Sequence, residues 1–332
     1  MTTPHDRLFK STFSQPAHAI ELFRSVLPPA VVQHIDFDTL QVEPESFIDE
    51  KLRARYSDLL FSVRLAGQHA YLYLLCEHQS RSERLMCVRV LRYVLDIWSA
   101  HLKKHPRARY VPLVIPIVVH HGEHGWKAPV RLRDLYDAPA EVVEDLLAFL
   151  PDFGFILDDL APQSDDELRA RALSALPRLV LWSFKNIRYG RDAIPALRKA
   201  IDLVAAAVLA PNGVAATSVI MQYILEVTRG LEEHIHAFFV ESARLPEAGD
   251  AVMTAAERLR REGQKEGHKE GSKEGSKNTG REYLIAMLQG RFGALPEPIL
   301  AVIQAAEKTQ LDRWFQRGIM ARSLDDVFGD AA

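Results

Sequence analysis

Cysteine is scarce in this chain of 332 residues: Cys76 and Cys87 are the only two. They cannot build a disulfide framework and are not at zinc-ligand spacing, which excludes a disulfide-stapled secreted module and a cysteine-ligated metal domain. Both lie among apolar residues and read as buried thiols in a reducing compartment. Long hydrophobic runs are missing too. None approaches the ~18 residues a membrane span needs, and the opening MTTPHD has no basic segment followed by an apolar one. The expectation is a cytoplasmic protein with no membrane partner. Charge of one sign is also lacking: 41 Lys and Arg against 44 Asp and Glu leave −3, which points to no particular partner.

What is present is a globular composition, 48% hydrophobic and 26% charged, in a chain long enough for about two domains. The distribution is uneven. Residues 1–130 carry 16 Lys and Arg, 13 Asp and Glu and 10 of the 13 histidines, so a polyanion-facing surface belongs to the N-terminal part.

Helical spacing marks residues 16–27, started by Pro16 and stopped by Pro28-Pro29. β-type runs follow at Ile35–Val42, Ser57–Leu65 and Ala70–Cys76, then a long helix at 83–104, a buried strand at Tyr110–His120 and an edge strand at Phe153–Leu160. The order αβββαβ predicts an α/β or α+β layer. After Asp165 the pattern is helical. The predicted division is a core at 1–165, an all-helical accessory region at 166–261, a connector at 262–280 and a small helical module at 281–332. The connector repeats Glu-Gly-x-Lys four times over 262–277; glycine weakens it as a helix. Two readings stand, a solvated connector or a small-residue stripe for a homo-oligomer formed with the C-terminal module. In that module Leu284, Leu288, Phe292, Leu295, Ile299, Leu311, Trp314 and Phe315 are core candidates, and Thr309–Asp312 and Ser323–Asp326 read as capping boxes.

The chemistry concentrates around Asp58 and Glu77. A two-residue Gly67-Gln68 loop would make a hairpin with these carboxylates directly opposite each other, and Gln79 on the same side as Glu77. Facing like charges are destabilising unless neutralised, and a divalent cation held by Asp58, Glu77 and the His78 carbonyl would do so. The alternative, a solvated pair at two strand ends, stays open. Downstream, Arg81–Arg109 holds eight Lys and Arg against two acids. On an ideal helix Arg81, Arg84, Arg89 and Arg92 fall within about 140°, opposite Met86, Val90, Tyr93, Val94, Ile97 and Trp98. Such a face suits a DNA backbone, and equally an ordinary solvated surface.

These residues resemble a known family. Asp58, then Glu77-x-Gln79 nineteen residues on, looks like the PD-(D/E)XK nuclease superfamily. His5-Asp6-Arg-Leu-Phe9-Lys10, Ser57-Asp58-Leu-Leu-Phe61, Leu-Leu-Cys-Glu77-His78-Gln79-Ser80 and Ile-Val-Val-His120-His121-Gly122 with Trp126 resemble the recombination-promoting nuclease or YhgA-like transposase family, over about residues 5–190. The resemblance implies a restriction-endonuclease-like fold and a DNA endonuclease that promotes recombination. It also implies Mg²⁺ (or Mn²⁺ or Ca²⁺) on Asp58 and Glu77, with Gln79 in the usual lysine position. A neutral glutamine positions but cannot supply charge, so Lys51 and Arg81 are candidates to serve instead. His5 and Asp6 would support the site or cap a helix, and Glu21 is a third-carboxylate candidate. His120 and His121 read as structural or substrate-contacting rather than metal-binding. The rival class is a catalytically weak or inactive DNA-binding or protein-interaction module on the same fold.

Overall fold

The computed structural model describes residues 3–44, 57–77, 83–187, 193–211, 213–228, 232–242, 244–321 and 323–329. Helix α1 (Pro4–Phe13) starts with a reciprocal cap in which Thr3 and Asp6 each accept the other's backbone N–H. Helices α2 (Pro16–Val26) and α3 (Pro29–Val32) both begin on proline, whose fixed φ suits a first turn.

Five strands form one sheet in the order β1-β2-β3-β4-β5. The strands β1 (Ile35–Val42), β2 (Ser57–Leu65) and β3 (Gln68–Glu77) are antiparallel neighbours. Helix α4 (Met86–Lys104) then carries the chain to β4 (Leu113–His120), parallel to β3, since parallel neighbours need a crossover. The short helix α5 (Ala140–Leu146) precedes β5 (Ile156–Asp159), again parallel to β4. The mixed α+β architecture is the one expected.

Central strand β3 is buried from Ala70 to Glu77, which is why it reads as a nearly unbroken apolar run. Tyr71, Tyr73 and Leu75 pack against Met86, Val90, Tyr93 and Ile97 of α4. The opposite face, with Leu72 and Leu74 fully buried, belongs to the side where Phe23 of α2 meets Phe61 edge-on at 5.3 Å.

The hairpin loop is Ala66-Gly67, not Gly67-Gln68. Both residues have positive φ, 49° and 78°, the combination a type I′ hairpin requires. Leu65 therefore pairs with Gln68 and Asp58 with Leu75. A methyl group at Gly67 would meet nothing within 4 Å, so its only penalty is the left-handed backbone. Gly67→Ala should lower stability by about 1 kcal/mol, read as a shift of the urea midpoint at unchanged slope.

After β5 the chain is helical: α6 (Asp165–Ala170), α7 (Ala175–Asn186), α8 (Ala193–Lys199), α9 (Ile201–Val208), α10 (Gly213–Thr228) and α11 (Glu232–Ala237). Helix α1 packs on α7 and α10, with Phe9 and Phe184 stacked at 6.5 Å. The chain divides into two compact units, Met1–Glu257 and Arg258–Ala332. The Glu-Gly-x-Lys tract lies in α12 (Pro246–Phe292). In the second unit α13 (Glu297–Ala305), α14 (Lys308–Met320) and α15 (Leu324–Phe328) close over Leu288, Ile303, Leu311, Trp314 and Val327. Phe315, expected in that core, is 36% exposed. The cap of α14 is Glu307 with Gln310 rather than Thr309 with Asp312, while Ser323 and Asp326 cap α15 as expected.

Candidate active site

The carboxyl ends of the three parallel strands set polar residues side by side. Glu77 ends β3, His120 ends β4 as its register partner, and Asp159 ends β5 as the partner of His120. Register partners share a sheet face, here the face that α4 covers. Asp58 pairs with Leu75, two residues before Glu77 on the same strand. Positions 58 and 77 are therefore diagonal neighbours on one face, roughly 7 Å apart along the ladder, not directly opposite as expected. The turn is displaced by one residue at each end of the loop, so the register moves by two, and a shift of two preserves the face.

Glu77 is buried, 2% exposed. Its Oε2 accepts from Arg89 Nη1 at 3.1 Å, and the same nitrogen pairs with Glu83. Arg89 sits one turn into α4 with its side chain 11% exposed. A buried carboxylate needs such a partner, because an isolated charge out of water is costly. Beside it, His120 is fully buried and its Nδ1 lies 2.8 Å from Asp159 Oδ1. Asp159 also accepts from the Trp126 backbone N–H at 2.6 Å and the Ala161 N–H at 3.2 Å. These contacts fix the ring, and Nε2 of His120 has no hydrogen-bond partner among the described residues.

The residues expected at the site fall into several places. Lys51, His78, Gln79 and Arg81 lie outside the described residues. Arg84 and Arg92 are exposed. Arg89, placed with them on a DNA-facing stripe, is instead turned inward onto Glu77. The helix begins at Met86, so Arg84 precedes it and the helical phase that grouped it with Arg89 and Arg92 does not hold there. Asp6 is the acidic member of the α1 cap. His5 is buried against His121 at 4.9 Å and Tyr223 at 5.2 Å. His121 stacks on Phe184 at 4.5 Å and its backbone N–H donates to the Glu77 carbonyl at 3.1 Å, which ties this aromatic cluster to the end of β3. Glu21 is not a third site carboxylate: its Oε2 accepts from both Ser174 N and Oγ at 2.8 Å, at the start of α7.

Sequence reasoning missed the Arg89 contact and the His120–Asp159 pair. The second had a usable signal, because in open α/β sheets functional groups gather at strand carboxyl ends. Among the described residues no group of three or more His, Cys, Asp or Glu side chains is arranged to hold a metal ion. No described helix is long and apolar enough to cross a membrane.

The model of the family described as "Putative transposase, YhgA-like" matches residues 3–214, a span that includes the whole sheet. The chain is 32% identical over 273 residues to the recombination-promoting nuclease RpnD of Escherichia coli O157:H7, covering 79% of this chain and 95% of that protein. It is similar at 32% identity to RpnA of Escherichia coli strain K12, over 80% of this chain and 86% of the relative. It also matches the inactive recombination-promoting nuclease-like protein RpnE of strain K12 at 32%, over 80% and 84%. No solved structure matches. The chain belongs to the YhgA-like transposase family of recombination-promoting nucleases.

Proposed function

We propose that this protein is a divalent-metal-dependent DNA endonuclease of the PD-(D/E)XK type, with Asp58 and Glu77 as its metal ligands. The observation that carries the reading is the register of β2 and β3, which sets these two acids on one face at the ends of adjacent strands. Carboxylate oxygens are the donors Mg²⁺ prefers, so the donor chemistry fits. A bound ion there would supply Lewis acidity toward a phosphodiester and an activated water. Around that position the chain's own groups have definable tasks. Arg89 holds the Glu77 carboxylate in place and offsets its charge. Asp159 fixes the His120 ring in the same row, and exposed Arg84 and Arg92 are suited to phosphate contact.

The test is nicking of a supercoiled plasmid by the full chain. Nicking with Mg²⁺, lost on adding EDTA and restored by excess Mg²⁺, is the expected result; equal nicking with and without chelator overturns the metal assignment. A second reading is favoured by the Arg89–Glu77 pair: a carboxylate already neutralised by arginine also suits a non-cleaving DNA-binding scaffold. It predicts DNA binding with no nicking under any metal.

Replacing Arg84 and Arg92 together by Ala should weaken duplex binding and reduce the slope of log affinity against log salt by about 2, roughly one unit per lost phosphate contact. An unchanged slope in a fluorescence-anisotropy salt series places the DNA elsewhere.

A further inference from the structure

At the end of α4 remote from Glu77 lies a cluster of histidines that the nuclease reading does not use. Helix α4 has 19 residues, about 28 Å at 1.5 Å per residue. Arg89 stands near its start, and His101 and His105 at its end. There His69, from the beginning of β3, stacks on His101 with ring centroids 5.7 Å apart, and His105 lies 4.5 Å from His101. The Tyr71 hydroxyl stands 3.5 Å from His101 Nδ1. The three histidine rings, with Lys104 and Arg107, line an open cleft of about 700 Å³.

Every ionisable side chain in that lining is cationic or becomes so on protonation, and the described lining residues include no carboxylate. The acid acting on His69 is Glu43, which favours its protonated form, opposed by His105, Arg64 and Lys104. Two chemistries recognise such a cluster. His101 in the last turn of α4 and His105 just past its end, four apart in sequence, have a spacing that zinc sites use on helices. Lys104 and Arg107 oppose a cation there, and the cluster is not arranged to hold a metal.

We propose that this cleft binds a phosphate-type oxyanion through His69, His101 and His105 together with Lys104 and Arg107, at a site separate from Glu77. Burial, foremost, lowers the affinity of both His69 and His101 for protons. An incoming anion reverses that preference, so binding takes up protons and strengthens as pH falls. The last-turn carbonyls of α4 favour the protonated imidazoles that would meet the anion. The oxyanion is either free, as phosphate or a nucleotide, or part of a DNA backbone.

Sulfate is the probe for the pH series, because its charge is constant between about pH 6 and pH 8. Titrated into the full chain and followed by histidine-ring NMR signals, it should shift His69, His101 and His105 together, with about 10-fold tighter binding at pH 6 than at pH 8. The Lys104→Ala/Arg107→Ala variant should weaken sulfate at least about 10-fold, and His101→Gln/His105→Gln should flatten the pH dependence. Circular dichroism checks that each variant is folded. A short duplex separates the sources. Competition with sulfate and weaker duplex binding by Lys104→Ala/Arg107→Ala assign the cleft to a backbone phosphate; unchanged duplex binding assigns it to a free oxyanion. Both arms stand whether or not the protein nicks DNA. The proposal is overturned if sulfate leaves the three rings unmoved, if affinity does not change with pH, or if Zn²⁺ shifts the rings and sulfate does not.

Discussion

Asp58→Ala and Glu77→Gln should each lower Mg²⁺-dependent plasmid nicking by a factor of about 1,000 or more, roughly 4 kcal/mol of transition-state stabilisation. The size follows from what a hard-ion site loses when one of two carboxylates goes: a charged donor is replaced by a methyl group or a weaker neutral amide. Glutamine is the informative change at Glu77. It keeps the volume and an oxygen that can accept from Arg89 Nη1, which now lies 3.1 Å from Glu77 Oε2, so the end of β3 stays packed while the charge is removed. Thermal unfolding of the variant close to that of the parent would show this. Nicking by either variant within about 10-fold of the parent would remove these residues from the reaction.

Much of the sheet was legible because its physics is local. β3 is buried on both faces and its sequence is correspondingly apolar; β1 and β2 announce themselves by β-type residues between turn signals. The hairpin shows what is less legible. A two-residue loop containing Gly67 was a sound reading, but whether glycine takes the first or second position depends on how Ala66 tolerates a φ of 49°, which tertiary pairing decides. The acidic pair stayed on one face regardless, because the error was even. Arg89 was misplaced for a different reason. A helical wheel that includes Arg84 assumes a helix that begins only at Met86, and composition alone gives no account of which arginine a buried Glu77 will draw inward. Thr309 failed because the cap falls two residues earlier, on Glu307, and Phe315 because apolar character alone does not say which face of a helix meets the core.

The pair that sequence could not reveal carries the second large expectation, on stability. Arg89→Met should cost the fold about 3 kcal/mol or more, measured by urea unfolding. Methionine replaces the arginine stem with an apolar chain of similar reach, so the loss reports the charge rather than a cavity. Glu77, 2% exposed, is then left as a buried carboxylate without its arginine, the arrangement that makes one-sided removal of an ion pair so destabilising. Glu83 is less affected because it is a third exposed and water replaces the lost contact. Adding Glu77→Leu to Arg89→Met removes the stranded charge, and the double variant should recover most of the loss; this non-additivity, about 2 kcal/mol of coupling, is the signature of a direct pair. Additive losses, or a cost below about 1 kcal/mol for Arg89→Met alone, would mean that Glu77 is stabilised by other groups and that Arg89 does not hold the carboxylate. The same coupling bears on the chemistry: a carboxylate that needs a cationic partner in the fold is one that a divalent ion can share, so the residue that stabilises the end of β3 also sets how readily Glu77 can serve as a ligand.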